Sequence, residues 1–230
     1  MLDSDQRMYF LRSHDVTISG KRILDVGPGD GTFLLLCRKA KAARMVGIEP
    51  DIHLSNRVRT ELGLDIFNGY LEDYAASPNS FDLVVLWDVI EHLSQPTQLM
   101  LNVSHHLASD GIVAAVTPNA DAFDRLGADW PGLKVDFEHM CYFGKESAKR
   151  LFESAGLSLK VAEPHGMPHL ESPLIAGHSN RKWRTYLNRA AWMVPPLGAW
   201  YTKLASLGRA LANKRDDMAG FYHLYLIGSR

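Results

Sequence analysis

The sequence holds little that would staple or anchor it. Cysteine is scarce: Cys37 and Cys141 are the only two in 230 residues, and neither stands at a metal-ligand spacing. A cysteine-built zinc site and a disulfide framework are therefore not expected, and a reducing compartment fits best. Long apolar runs are missing as well. The longest, 190–201, is too short to cross a bilayer and carries Pro195 and Pro196. The first residues lack the basic-then-apolar pattern of a secretion signal, so a cytoplasmic location is expected. No zinc finger or RNA-recognition motif is present, and nucleic acid is not expected as a partner. Acidic residues are absent from one long stretch. Between 172 and 215 there are eight Lys or Arg and no Asp or Glu, which leaves 17 basic and 26 acidic residues elsewhere. A segment at +8 is thus joined to a body at −9, within a net charge of −1.

What is present reads as one α/β domain. A short helix up to about His14, capped by Asp3 or Ser4, precedes a buried strand over 21–26 that ends in glycines. A helix is expected over 32–43, a strand over 45–48, a helix capped by Asp51 through Leu62, and a short strand over 65–67. The run Phe-Asp-Leu-Val-Val-Leu-Trp at 81–87 is continuously apolar but for one residue, as central parallel strands are. Pro96 opens a helix to Leu107, and 111–117 is a further strand. The connection 119–143 is long for a compact domain, and such loops usually serve a site. A helix over 145–155, a strand over 157–162 and a closing strand over 222–227 follow. The alternation predicts a doubly wound, Rossmann-like sheet.

The main chemical signal is Ile-Leu-Asp-Val-Gly-Pro-Gly-Asp-Gly-Thr-Phe at 23–33. A strand runs into Gly27, Gly29 and Gly31, and a helix starts directly after. Such a turn lets backbone approach a ligand with no Cβ in the way, at a helix N-terminus that favours anionic groups. The plainer alternative is a tight strand-to-helix turn. Thr32 stands where the dinucleotide fingerprint needs its third glycine, which argues against a nicotinamide-dependent oxidoreductase, and no lysine follows as in a phosphate-binding P-loop. Glu49 ends the next strand, where a carboxylate can accept from both hydroxyls of a ribose.

With these residues in place, the sequence resembles the class I S-adenosylmethionine-dependent methyltransferases. The stretch 23–33 is similar to their first motif, Val-Gly-Ile-Glu-Pro at 46–50 to their second, and the run 81–96 to their fourth-strand motif. The likeness extends over about 20–165 plus the last strand, and the branch most resembled is that of small-molecule enzymes including the ubiquinone-biosynthesis O-methyltransferases. The resemblance implies S-adenosyl-L-methionine as cofactor and an antiparallel last strand. It implies that Gly27, Gly29 and Gly31 cradle the methionine part, that Asp25 orients their loop and that Glu49 binds the ribose. It implies further that Leu71 and Glu72 meet the adenine, although Tyr70 stands where relatives often carry an acid, and that Trp87 and Asp88 face the sulfonium end.

Methyl transfer is an in-line displacement for which alignment supplies most of the catalysis. A hydroxyl acceptor gains from a general base, and His139, His92 and Glu91 are the candidates, with His165 behind them. Cys141 reads as packing, since methyl transfer needs no protein nucleophile. In the ubiquinone branch an acidic, acidic, His pattern at i, i+3 and i+4 is associated with a divalent metal, and Asp88, Glu91 and His92 match it. The alternative, that Glu91 and His92 simply cap and pack the turn, is preferred, so no metal is expected. A small molecule methylated on oxygen is the expected acceptor, and a cofactor-binding relative without catalysis is the alternative. The basic segment, inserted over 172–218, carries Leu197, Trp200, Leu204, Leu207 and Leu211 on one helical face. A lid over the site or a homodimer contact is its plainer use. Contact with an anionic membrane or a lipid-linked substrate is the sharper one.

Overall fold

A computed structural model of the chain describes residues 2–127, 130, 138–165 and 223–230. Its internal contacts divide the chain into Met1–Glu163 with His223–Arg230, and Pro164–Tyr222. The basic segment 172–218 falls in the second unit and lies outside the described residues.

The first unit carries the expected alternation: α1 (Leu2–Ser13), β1 (Arg22–Val26), α2 (Thr32–Lys39), β2 (Arg44–Glu49), α3 (Ile52–Leu62), β3 (Ile66–Asn68), β4 (Phe81–Trp87), α4 (Pro96–His106), β5 (Leu107–Pro118), α5 (Phe123–Leu126), α6 (Lys145–Ser154), β6 (Ser158–His165) and β7 (His223–Ser229). The strands form one seven-stranded sheet in the order β3-β2-β1-β4-β5-β7-β6. Strands β3, β2, β1, β4 and β5 run parallel, and β7 pairs antiparallel with β5, Ala115 opposite Leu226. Several expected boundaries move: α2 stops at Lys39, four residues before the expected end, and β6 runs on to His165. Helix α1 begins at Leu2, so Asp3 and Ser4 lie inside it rather than capping it. Strand β5 begins at Leu107, directly after α4, and its register against β4 slips between Phe81 and Leu83. Asp51 caps α3 as its position suggested, its side chain accepting from the Leu54 N–H.

Apolar strands in the middle of the sheet must satisfy both faces, and they do so by strict alternation. Leu24, Val26, Val84 and Leu86 point to the layer of α4 and α6, where Met100, Val103 and Phe152 are fully buried. Ile23, Leu83, Val85 and Trp87 point to the opposite layer, where α1 and α2 bring Met8, Phe10, Leu11 and Phe33. Each large side chain so buried contributes on the order of 1.5–3 kcal/mol. The consequence for the site is one of parity: Asp25 shares the face of Ile23, and Trp87 that of Val85, so both look toward α1 and α2. Among the described residues no helix is long and apolar enough to cross a membrane.

Candidate active site

The parallel strands β1, β2 and β4 end along one edge of the sheet, at Val26, Glu49 and Trp87. This edge, outside the carboxyl ends of the strands, is where open α/β sheets bind ligands. The turn after β1 takes positive φ at Gly27 (73°), Gly29 (56°) and Gly31 (77°), which glycine alone adopts freely. The three differ in what surrounds them. A Cβ on Gly31 would meet Val58 at 2.8 Å and Leu64 at 3.0 Å, so this glycine lets α3 pack against the turn. A Cβ on Gly27 would meet Val89 at 2.8 Å. Gly29 has nothing within 4 Å of its Cβ position. Space for a ligand is therefore open at Gly29.

Two carboxylates lie in the strands that lead to this edge, Asp25 in β1 and Glu49 at the end of β2. Asp25 is completely buried, and neither of its oxygens has a hydrogen-bond partner among the described residues. Burial pushes its carboxyl up to about 7, with Arg7 opposing the shift and Glu49 adding to it. Glu49 is 7% exposed. Its Oε1 accepts from the Asp51 N–H at 3.1 Å, and burial raises its carboxyl above the usual range. A buried acceptor without a donor is costly. Glu49, at the end of β2, can accept from the hydroxyls of a ribose, which fits the expected cofactor, while Asp25 lies fully buried behind the turn. Leu71 is buried in the core within a 3-10 turn, Leu71–Asp73, while Glu72 beside it is exposed. Tyr70 is 58% exposed.

The tip of β4 is organised by a residue that sequence reasoning did not single out. Arg7 of α1 donates from Nη2 to Asp88 Oδ2 at 2.6 Å, and its guanidinium carbon lies 5.5 Å from the centre of the Trp87 ring. His223, the first residue of β7, approaches Asp88 Oδ1 at 3.8 Å. Asp88 itself has φ of 57°, a left-handed conformation that Asp tolerates better than most residues. Nothing local in the sequence marks Arg7. Only the packing of Met8 and Leu11 under α1 carries it to this strand end.

Beyond Asp88 a 3-10 turn, Ile90–His92, carries the proposed proton-handling residues. The connection after β5 folds back onto this turn. The Met140 and Cys141 N–H groups both donate to the Glu91 carbonyl, at 2.8 and 3.0 Å, and the Cys141 thiol lies 3.4 Å from the Leu93 carbonyl. That backbone clasp sets the His139 ring 4.7 Å from the His92 ring, edge to face. Tyr142 stands 5.8 Å beyond His139, and Trp130 stands 5.1 Å from Tyr142. Glu91 is completely buried, and its carboxyl is pushed up to about 8 by burial and by Asp88, with the nearby Thr117 hydroxyl and Arg7 offsetting this in part. The side chains of Glu91, His92 and His139 bring one ligand atom each within 4.8 Å of one another. The structure thus joins His139 to Glu91 and His92, and ties Asp88 to Arg7 instead. His165 ends β6 and is not among the cluster.

Residues 5–160 match the family model of a methyltransferase domain. The chain belongs to that methyltransferase family. A Mycolicibacterium smegmatis protein named as an S-adenosylmethionine-dependent methyltransferase is 28% identical over 160 residues, 66% of this chain and 60% of that protein. The chain therefore spans less than two thirds of that relative's length. A ubiquinone biosynthesis O-methyltransferase of Neisseria meningitidis is 28% identical over 180 residues, 71% of this chain and 73% of that one. Among solved structures, a SAM-dependent methyltransferase from Archaeoglobus fulgidus superimposes with a TM-score of 0.66 at 15% identity, covering 99% of this chain and 94% of its own. Another, from Mesorhizobium loti, gives 0.60 at 15% identity over 96% and 95%. At such identities the structures speak for the fold alone. The family and fold together make S-adenosyl-L-methionine the cofactor of this methyltransferase.

Proposed function

We propose that this methyltransferase transfers the methyl group to a hydroxyl oxygen of a small molecule. One observation carries the reading: the connection after β5 delivers His139 onto Glu91 and His92, beside the strand end that the resemblance assigns to the reacting end of the cofactor. An amine in its neutral form needs no such group, whereas a hydroxyl becomes a competent nucleophile when its proton is withdrawn.

The cofactor supplies an activated methyl on a sulfonium, an intrinsically good leaving group. The chain holds, aligns and deprotonates. Gly29 leaves room for the methionine part, with Asp25 buried behind the turn and orienting it. Arg7 presents a guanidinium with five donors, enough to keep Asp88 and still receive the methionine carboxylate. Glu49 accepts from the ribose hydroxyls, and the 3-10 turn at Leu71 and Glu72 offers the adenine a backbone N–H and a carboxylate. The Glu91–His92–His139 cluster, His139 foremost, withdraws the acceptor's proton. Half-buried Tyr142 continues the same wall as aromatic surface, suited to the flat or apolar body of an acceptor, with buried Trp130 packed behind it. The basic stretch 172–215 supports a further element of this reading, an acceptor carried on an anionic lipid.

The test is methyl-labelled cofactor incubated with parallel sets of phenols, aliphatic alcohols and amines, with products read by mass. Label on oxygen supports the reading. Label on nitrogen alone would replace it. Cofactor binding with no product across all sets would favour a cofactor-binding relative without catalysis.

A further inference from the structure

We propose that Glu91, His92 and His139 form a binding site for a divalent transition-metal ion of the zinc and cobalt class, with Asp88 outside the coordination set. The inference rests on the acceptor-site reading for its use, but the binding itself can be measured without any reaction.

Geometry comes first. One ligand atom from each of the three side chains lies within 4.8 Å of the other two. Donors on a common ion with bonds of about 2.0–2.2 Å stand roughly 3–3.5 Å apart. The Glu91 carbonyl holds the Met140 and Cys141 N–H groups, which fixes the loop that carries His139.

The surroundings point the same way. The Glu91 carboxylate is completely buried, and its oxygens make no well-formed hydrogen bond among the described residues, with the Thr117 hydroxyl as the donor beside it. A buried carboxylate is tolerated when a cation compensates it. His92 Nδ1 lies 3.4 Å from the Glu138 carbonyl. A proton on Nδ1 donated there leaves the Nε2 lone pair for an ion, the arrangement in which a carbonyl behind an imidazole orients it as a ligand.

The donor set then selects the ion. The set that the ubiquinone branch associates with a metal matches Asp88, Glu91 and His92 here, two carboxylates and one imidazole, which would suit an oxygen-loving ion. The structure removes Asp88 from that set, since Arg7 holds it at 2.6 Å and His223 stands on its other oxygen. With His139 in its place the set is two imidazoles and one carboxylate. Imidazole suits zinc and its transition-metal neighbours, whereas magnesium takes oxygen ligands and keeps several of its waters. Three protein ligands leave a coordination position open, as catalytic sites do. A hydroxyl bound there would lose its proton more readily, and His139 would then act on the acceptor through the ion.

The experiment uses the full chain, stripped by chelator and dialysed. Cobalt(II) is titrated in and followed by its visible ligand-field absorption, zinc by competition against it, and magnesium in parallel. Circular dichroism and melting curves establish that each variant is folded. The expected result is one saturable equivalent of cobalt, displaced by zinc and indifferent to magnesium. His92→Ala and His139→Ala should each weaken it by roughly a hundredfold, His139→Gln should not restore it, and Asp88→Asn should leave it unchanged. Absence of saturable cobalt binding overturns the proposal, as does wild-type affinity in folded His139→Ala. Loss in Asp88→Asn but not in His139→Ala would return the site to the two-carboxylate set. Because no cofactor or acceptor is present, these outcomes are independent of whether oxygen is the atom methylated.

Discussion

The ends of β1 and β4 lie side by side, pairing from Ile23 and Leu83 to Val26 and Leu86, yet the two halves of the site are assembled in opposite ways. The half around β1 comes from one stretch of chain: Asp25, the glycine turn and Glu49 fall within 25 consecutive residues, and each is placed by the element it terminates. The half around β4 is gathered from afar. Arg7 comes from the first helix, Glu91 and His92 from the turn after β4, His139 from a loop 47 positions beyond His92 in the numbering, and His223 from the last strand. Local geometry makes the first half rigid by construction. The second exists only while α1 and the loop after β5 stay docked. Substitutions should accordingly act on binding in the first half and on turnover in the second.

The largest effect should come from the glycine turn. Gly29→Val places a branched side chain at φ of 56°, in the space left open for the cofactor. Cofactor binding should be abolished, read by calorimetry, while the melting curve stays cooperative. Gly31→Val is the counter-experiment. Its side chain meets Val58 and Leu64 rather than open space, so it should lower the melting temperature whether or not cofactor is present. If both variants behave alike, the division between a ligand-facing and a packing glycine is wrong.

Next in size is His139→Ala. With a general base or its equivalent removed, turnover should drop by about 10²–10⁴-fold, while cofactor affinity barely moves. Full turnover in this variant would break the comparison, because the distant half would then contribute alignment alone.

These two halves also explain what the sequence could and could not reveal. Strand alternation, the glycine turn and Glu49 are local: a strand, a turn and a helix N-terminus are each written in a few adjacent residues. The sheet and the expected cofactor were legible for that reason. Arg7 was not, because its role depends on where α1 docks. The exchange of Asp88 for His139 in the cluster was not legible either. The i, i+3, i+4 spacing of Asp88, Glu91 and His92 suggests one helical face, but the backbone turns left-handed at Asp88 and enters a 3-10 turn at Ile90. That break sends the Asp88 side chain toward α1 and leaves its place to a residue from another loop.

A third prediction separates the halves by pH. Asp25 is held in the fold with its carboxyl near 7, chiefly by burial. Between about 4 and 7 the unfolded chain has released this proton and the folded chain has kept it. Stability is therefore fullest below the unfolded value and is lost as pH rises through 7, by at most about 4 kcal/mol from this group. Arg7 opposes the shift and Glu49 adds to it, and Glu91, pushed up to about 8, gives a slope of the same sign. The readout is thus the difference between wild type and Asp25→Asn in melting temperature across pH 5 to 8. The variant should show the shallower fall and, with its orientation of the turn disturbed, bind cofactor less well. A wild-type slope unchanged in the variant would mean that Asp25 is not the buried acid of this half.

The smallest of these effects, and the one that tests the local half most directly, belongs to Glu49. Its Oε1 is already held by the Asp51 N–H at 3.1 Å, and the Asn68 amide donates to the Glu49 backbone carbonyl at 2.9 Å, fixing the end of β2. The carboxylate is therefore pre-positioned and loses little freedom when ribose hydroxyls donate to it. Hydrogen bonds to a charged group are worth about 1.5–3 kcal/mol each, so Glu49→Ala should weaken cofactor binding by about tenfold or more. Glu49→Gln keeps the shape and the Asp51 contact but removes the charge, and should fall between wild type and the alanine variant. Because burial raises the Glu49 carboxyl, affinity should also decline as pH falls toward that raised value, and the alanine variant should not share the decline. Adenosine, which has the ribose but no methionine, should lose affinity by the same factor as the full cofactor product. Equal affinity for wild type and Glu49→Ala would mean that the end of β2 is a solvated strand terminus, and that the glycine turn alone defines the cofactor half.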